Sequence, residues 1–146
     1  MPWITDVDLR APLKEGGLWI TLSPLGFQTR HFFYPNGKAK YYLVPARYAT
    51  DLATVPRLPL VYWLVGNRGV AAAVIHDFTY DHGMRLGIIE SRLESDLVYR
   101  EILLEMGVSE YLATAMFKGV RIFGASHFCD SELLVEPEPS RENYDD

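Results

Sequence analysis

The chain has 146 residues, 49% of them hydrophobic and 23% charged, with a formal net charge of -5. Such a length gives one domain with enough apolar content for a core, and the acidic balance argues against a phosphate-backbone binder, which needs clustered Lys and Arg. Cys129 is the single cysteine, which excludes an internal disulfide and a Cys-His zinc framework.

Residues 1–16 mix Pro, Asp, Lys and Gly and read as an irregular lead-in, with no basic segment followed by an apolar run and so no signal peptide. Residues 18–23 (LWITLS) are partly β-branched and partly aromatic, which predicts a strand. After the turn signal Pro24-Leu25-Gly26, residues 27–34 (FQTRHFFY) predict a second strand. Pro35-Asn36-Gly37-Lys38 is the clearest turn, because Asn-Gly tolerates positive φ. Residues 40–45 (KYYLVP) predict the third strand of an antiparallel meander.

Residues 49–59 (ATDLATVPRLP) read as a Pro-bounded loop or single helical turn, and residues 59–65 as a short helix ending at Gly66. The apolar runs LPLVYWLVG and GVAAAVI are each too short to cross a bilayer, and Asn67-Arg68 separates them, so no membrane span is expected. The central helix is expected over residues 69–81, stopped by Gly83. Its start is apolar, yet His76-Asp77 lies halfway along it and Tyr80, Asp81 and His82 follow. Buried Asp and His are costly unless something pairs with them. On a helix His76 and Tyr80 share one face, with Asp77 and Asp81 on the neighbouring face. The macrodipole disfavours both acids near a helix C-terminus, which calls for a compensating cation, Arg or metal.

A second long helix is expected over residues 90–106, closed by Gly107, with Leu93, Leu97, Ile102, Leu103 and Met106 near helical spacing. A third follows over residues 110–123, with Ser109 as N-cap. Residues 129–146 turn acidic and are expected as a tail, flexible or ordered only against a partner. Residues 1–128 then form one α+β domain: a small antiparallel sheet of about three strands, followed by a three-helix core with a central His-Asp helix.

Four blocks occur in order: TDLATVPR at 50–57, AAAVIHDFTYD at 71–81, SRLESDLVYRE at 91–101 and VRIFG at 120–124. They resemble a family of short phage and prophage proteins, domain of unknown function 1353. That family's pattern runs Thr-Asp-Leu-Ala-Ser-x-Pro-Arg, then Ala-Ala-x-x-His-Asp-x-Leu-Tyr, then Arg-x-x-Ala-Asp-x-x-Phe, then Arg-x-Phe-Gly. The resemblance covers residues 18–128, with Thr54, Ser95 and Tyr99 standing where Ser, Ala and Phe are usual. It implies a phage or prophage origin, and with neither a signal peptide nor a membrane span expected, the protein is expected in the host cytoplasm when synthesised, or in the virion. It assigns no activity. Locally, His-Asp-x-x-Tyr at 76–80 is also similar to the catalytic helix of phospholipase A2. That likeness implies a His that activates water, an adjacent Asp that binds calcium, and an Asp on a partner helix that orients the His.

The matching polar residues support several chemistries. In one, His76 is a general base oriented by Asp96 from the next helix, since a neighbouring carboxylate fixes an imidazole's tautomer and raises its basicity. In another, Asp51, His76, Asp77 and Asp96 gather around a divalent metal that activates water. Arg57 and Arg92 would hold an anionic substrate group. The leading expectation is a metal-assisted phage hydrolase acting on a cell-envelope or phosphoester substrate. His76 and Asp96 are its catalytic pair, and Asp51, His76 and Asp77 its metal ligands. The alternative is a tail- or head-associated structural part, partnered by other phage proteins through its acidic tail. Its His-Asp network is an internal staple formed with Arg100 or Arg121. An enzyme needs His76 and Asp96 to reach a solvent-open cleft. A staple needs them buried, mutually paired and sealed.

Overall fold

Residues 7–12, 17–50 and 68–129 are described by the computed structural model of the chain. Among the described residues two small antiparallel sheets precede three helices, so the fold is α+β. The first sheet joins β1 (Leu9–Arg10), β2 (Trp19–Thr21) and β5 (Ala49–Thr50), with β2 in the middle. The second is the hairpin of β3 (Leu25–Phe33) and β4 (Ala39–Val44). The expected meander is therefore split. The strand at 18–23 pairs Trp19 with Thr50 and Ile20 with Ala49 rather than with β3. Thr21 fixes that arrangement. Its hydroxyl donates to the Pro45 carbonyl at 2.8 Å and accepts the Tyr48 amide at 2.8 Å, which ties β2 to the chain leaving β4.

The hairpin turn forms where Asn36-Gly37 predicts it. Gly37 has φ 82 and donates to the Tyr34 carbonyl at 2.9 Å, and Asn36 Oδ1 accepts the Lys38 amide at 3.0 Å. Along β4, Lys40, Tyr42 and Val44 are buried, while Leu43 faces out. This period of two puts one face of the hairpin on the helices. Pairing slips between Gln28 and Phe33. The bulge leaves the Arg30 amide off the ladder, and a helix carboxylate takes it, as described below.

The helices are α1 (Arg68–Phe78), α2 (Arg92–Glu105) and α3 (Glu110–Phe123). Residues 71–75 of α1 are all at most 1% exposed, because α1 runs between β4 on one side and α2 on the other. Its three alanines let these neighbours approach closely. α1 does not end at 81 as an α-helix; it widens into a π turn over Thr79–Gly83. Ser91 caps α2 by accepting the Glu94 amide at 3.2 Å, and Ser109 caps α3 through the Leu112 amide at 3.3 Å. At the end of α2, Gly107 adopts φ 86 and Val108 donates back to the Leu103 carbonyl at 3.0 Å, which ties off the last turn. Leu25, Phe27, Tyr42, Ile75, Tyr99 and Ile102 are the large side chains at the centre of the core. Among the described residues no helix is long and apolar enough to cross a membrane.

Candidate functional site

The site begins with Thr79. Its hydroxyl donates back toward the carbonyls of Ile75 and His76, 3.0 Å from each, and meets the Ser95 hydroxyl of α2 at 2.5 Å. A hydroxyl that occupies these carbonyls competes with the normal amide ladder. The backbone loosens here into the π turn, a feature that recurs where a helix must aim a side chain. The turn still delivers Tyr80 to the same face as His76, their ring centroids 4.1 Å apart.

Asp96 of α2 sits opposite. His76 Nε2 lies 2.7 Å from its Oδ1, and the Tyr80 hydroxyl donates to the same oxygen at 2.5 Å. Arg121, from the last turn of α3, donates to Oδ2 at 2.8 Å, with Arg92 Nη1 also near Oδ2 at 3.6 Å. The expected meeting of His76 and Asp96 across two helices is therefore present. Of the two arginines expected as staple partners, Arg121 is in the network, whereas Arg100 bonds Thr114 at 3.1 Å, away from Asp96. The side chains of His76 and Asp96 are both 0% exposed.

Burial by itself pushes the Asp96 carboxyl up. The hydrogen bonds from His76, Tyr80 and Arg121 outweigh it and hold the group below the usual carboxylate range. Burial pushes the Tyr80 phenol up, and its bond to Asp96 adds to that, so it stays a donor. An ionised Asp96 only accepts, so hydrogen-bond logic places the imidazole proton on Nε2. In the neutral ring Nδ1 is then the lone-pair nitrogen. It is the one buried side-chain polar atom without a hydrogen-bond partner among the described residues.

The other expected site residues fall elsewhere. Asp51 and Arg57 lie outside the described residues, as does the short helix expected at 59–65. Asp77, half-buried, accepts the Thr50 hydroxyl at 2.5 Å on Oδ2, and Asp81 accepts the Tyr48 hydroxyl at 2.5 Å. Hydroxyl donors from the first sheet and the loop before it therefore reach both acids. Arg92 turns inward. Its guanidinium bonds the Tyr80 hydroxyl at 3.3 Å and the carbonyls of Val120 and Arg121, each at 3.2 Å. These donors serve the network. Among the described residues, no three His, Cys, Asp or Glu side chains converge as a cation site.

Two further buried carboxylates on α2 do not stand out in the sequence. Glu94 pairs with Lys40 at 3.0 Å and accepts the Tyr42 hydroxyl at 3.0 Å. Glu101 accepts the Thr29 hydroxyl at 2.6 Å and, at 2.7 Å, the Arg30 amide freed by the bulge. The available signal was on β4, where Lys40 alternates with Tyr42 and Val44 and so belongs to their inward face. For Glu101 no local pattern exists, because the bulge it serves is set by pairing between strands.

No curated protein and no solved structure matches the chain. A family model does match, over residues 28–120, and its description is "Protein of unknown function (DUF1353)". The matched span holds β4, α1, α2 and most of α3. It includes His76, Tyr80, Arg92 and Asp96, and Arg121 follows directly after it. The chain belongs to this DUF1353 family.

Proposed function

We propose that the protein is a small phage-encoded hydrolase whose general base is Nδ1 of His76, with Asp96 as the orienting carboxylate. One observation carries the reading. An imidazole that is 1% exposed has Nε2 held at 2.7 Å by an anion and leaves Nδ1 without a partner. A buried acceptor left bare costs about 1–3 kcal/mol. A purely structural brace gains nothing from that cost. A base needs that atom free and in the acceptor tautomer.

In this reading Nδ1 takes a proton from water, and the hydroxide equivalent attacks the carbonyl carbon or phosphorus of an ester. Asp96 stabilises the imidazolium, which returns the proton to the departing alkoxide. Substrates of the cell envelope, or phosphoesters, fit a phage enzyme of this kind. Catalysis requires that the groups covering Nδ1 part to admit water and substrate. In the metal-assisted form of this reading, Asp51 and Asp77 would hold, with His76, a divalent cation that polarises the attacking water. Arg57 and Arg92 would hold an anionic group of the substrate.

The rival reading is a non-enzymatic tail- or head-associated part, with the network as its staple and its acidic tail as the contact to other phage proteins. The complete burial of both His76 and Asp96 side chains favours it. The two are separated by assaying the purified chain on p-nitrophenyl esters, bis-p-nitrophenyl phosphate and cell-wall fragments, with elemental analysis for bound metal. The hydrolase reading expects turnover that His76→Ala abolishes while circular dichroism stays native. Absence of turnover on every probe, with His76→Ala unfolded, gives the staple.

A further inference from the structure

We propose that residues 121–124, the end of α3, are a positioning element for the His76–Asp96 pair, and that Gly124 is the residue that admits Tyr80 to it. Three observations converge there. Arg121 donates to Asp96 Oδ2 at 2.8 Å. The carbonyls of Val120 and Arg121, at the same helix end, hold Arg92, whose Nη1 also reaches the Tyr80 hydroxyl at 3.3 Å. A Cβ at position 124 would lie 2.4 Å from the Val120 carbonyl oxygen and 2.7 Å from the Tyr80 hydroxyl.

Gly124 is not there for its backbone. Its φ of -81 and ψ of -16 suit any L residue. It is there for space. A methyl group at 124 meets both the carbonyl that holds Arg92 and the hydroxyl that donates to Asp96 at less than 3 Å, so both must shift. Either shift loosens a donor to the network around the carboxylate, and Asp96 then no longer fixes the imidazole in one orientation. Only the kinetic arm of the test rests on the reading of His76 as a base; the geometric arm stands apart from it.

The test uses the full-length chain with Gly124→Ala, Arg121→Lys and the double variant Gly124→Ala/Tyr80→Phe. Long-range proton–nitrogen NMR reads the tautomer of His76 and the solvent exchange of its Nε2 proton. Gly124→Ala is expected to stay folded, to mix the two tautomers and to speed that exchange on the order of tenfold or more. Any ester hydrolysis then falls on the order of tenfold to a hundredfold in kcat with KM little changed. The double variant regains only the part of the thermal stability lost to the hydroxyl, since the Val120 carbonyl still meets the new methyl group, and it keeps the mixed tautomer; recovery of the single tautomer would overturn the proposal. A folded Gly124→Ala with wild-type tautomer and exchange overturns the proposal. Should Gly124→Ala fail to fold, Arg121→Lys decides in the same way: a loosened imidazole supports the proposal and an unchanged one overturns it. If the imidazole loosens but the wild type hydrolyses no probe, the positioning role stands and the hydrolase reading falls.

Discussion

Lys40 of β4 and Glu94 of α2 form an ion pair at 3.0 Å with side chains only 7% and 5% exposed. The pair, with the Tyr42 hydroxyl on the same carboxylate, fastens the hairpin to the first turn of α2. Removing one partner leaves a buried charge uncompensated, which costs about 3–5 kcal/mol. Lys40→Met is therefore expected to lower the unfolding free energy by that amount, read as a lower urea midpoint at unchanged slope. Lys40→Met combined with Glu94→Leu recovers most of the loss, because no lone charge remains. A fully additive double variant, measured by the same denaturation series, would contradict the pairing.

Asp96 makes the fold sensitive to acid. Its folded-state carboxyl titrates below the unfolded value of 3.8, because donors from three helical elements outweigh its burial. Its contribution is complete above that value and is lost as pH falls through the lowered one. Asp96→Asn is expected to melt lower than wild type at neutral pH. The two melting curves then converge as the solution is made more acidic than pH 3.8. Calorimetry across that range checks it. Parallel curves would mean that the carboxylate is not ionised in the fold.

The alkaline limb belongs to tyrosines. Burial pushes Tyr42, Tyr80 and Tyr99 above their usual 10.0, with Glu94, Asp96 and Asp77 respectively adding to it. Stability from these groups is complete below pH 10.0 and is lost as pH rises beyond it, since only the unfolded chain ionises there readily. The expected result is a cooperative jump in tyrosinate absorbance that coincides with loss of helical circular dichroism. A gradual rise ahead of unfolding would show these phenols to be open to solvent.

Ser91 offers a smaller, local test. Its hydroxyl accepts the Glu94 amide and so satisfies one open donor of α2. Ser91→Ala is expected to cost about 1 kcal/mol, and Ser91→Asp to cost little. The denaturation midpoint distinguishes them, and equal losses for both variants would exclude capping as the cause.

The positions of the helices follow from local rules that can be read along the chain. Ser109 and Gly107 mark helix ends because each satisfies or reverses the backbone within a few residues. Asn36-Gly37 makes the hairpin turn by the same kind of short-range chemistry. The meeting of His76 with Asp96 was also foreseeable, since two consecutive helices joined by a short connection pack side by side. The bulge in β3, the split of the sheet at Thr21 and the π turn at Thr79 are different in kind. Each arises from competition for a carbonyl or an amide between groups brought together by folding.

The sequence by itself determined the three long helices, the main hairpin and the burial of His76 with Asp96, because periodicity and capping act over a few residues; the two-residue strands β1 and β5 and the buried Glu94 and Glu101 were not legible in it. Only the tertiary structure decided who partners whom. Asp96 received Arg121 and Tyr80, Asp77 received Thr50, and Glu94 received Lys40. The physical reason is that a buried carboxylate must be met by donors that approach it through space, and their spacing along the chain places no constraint on that choice.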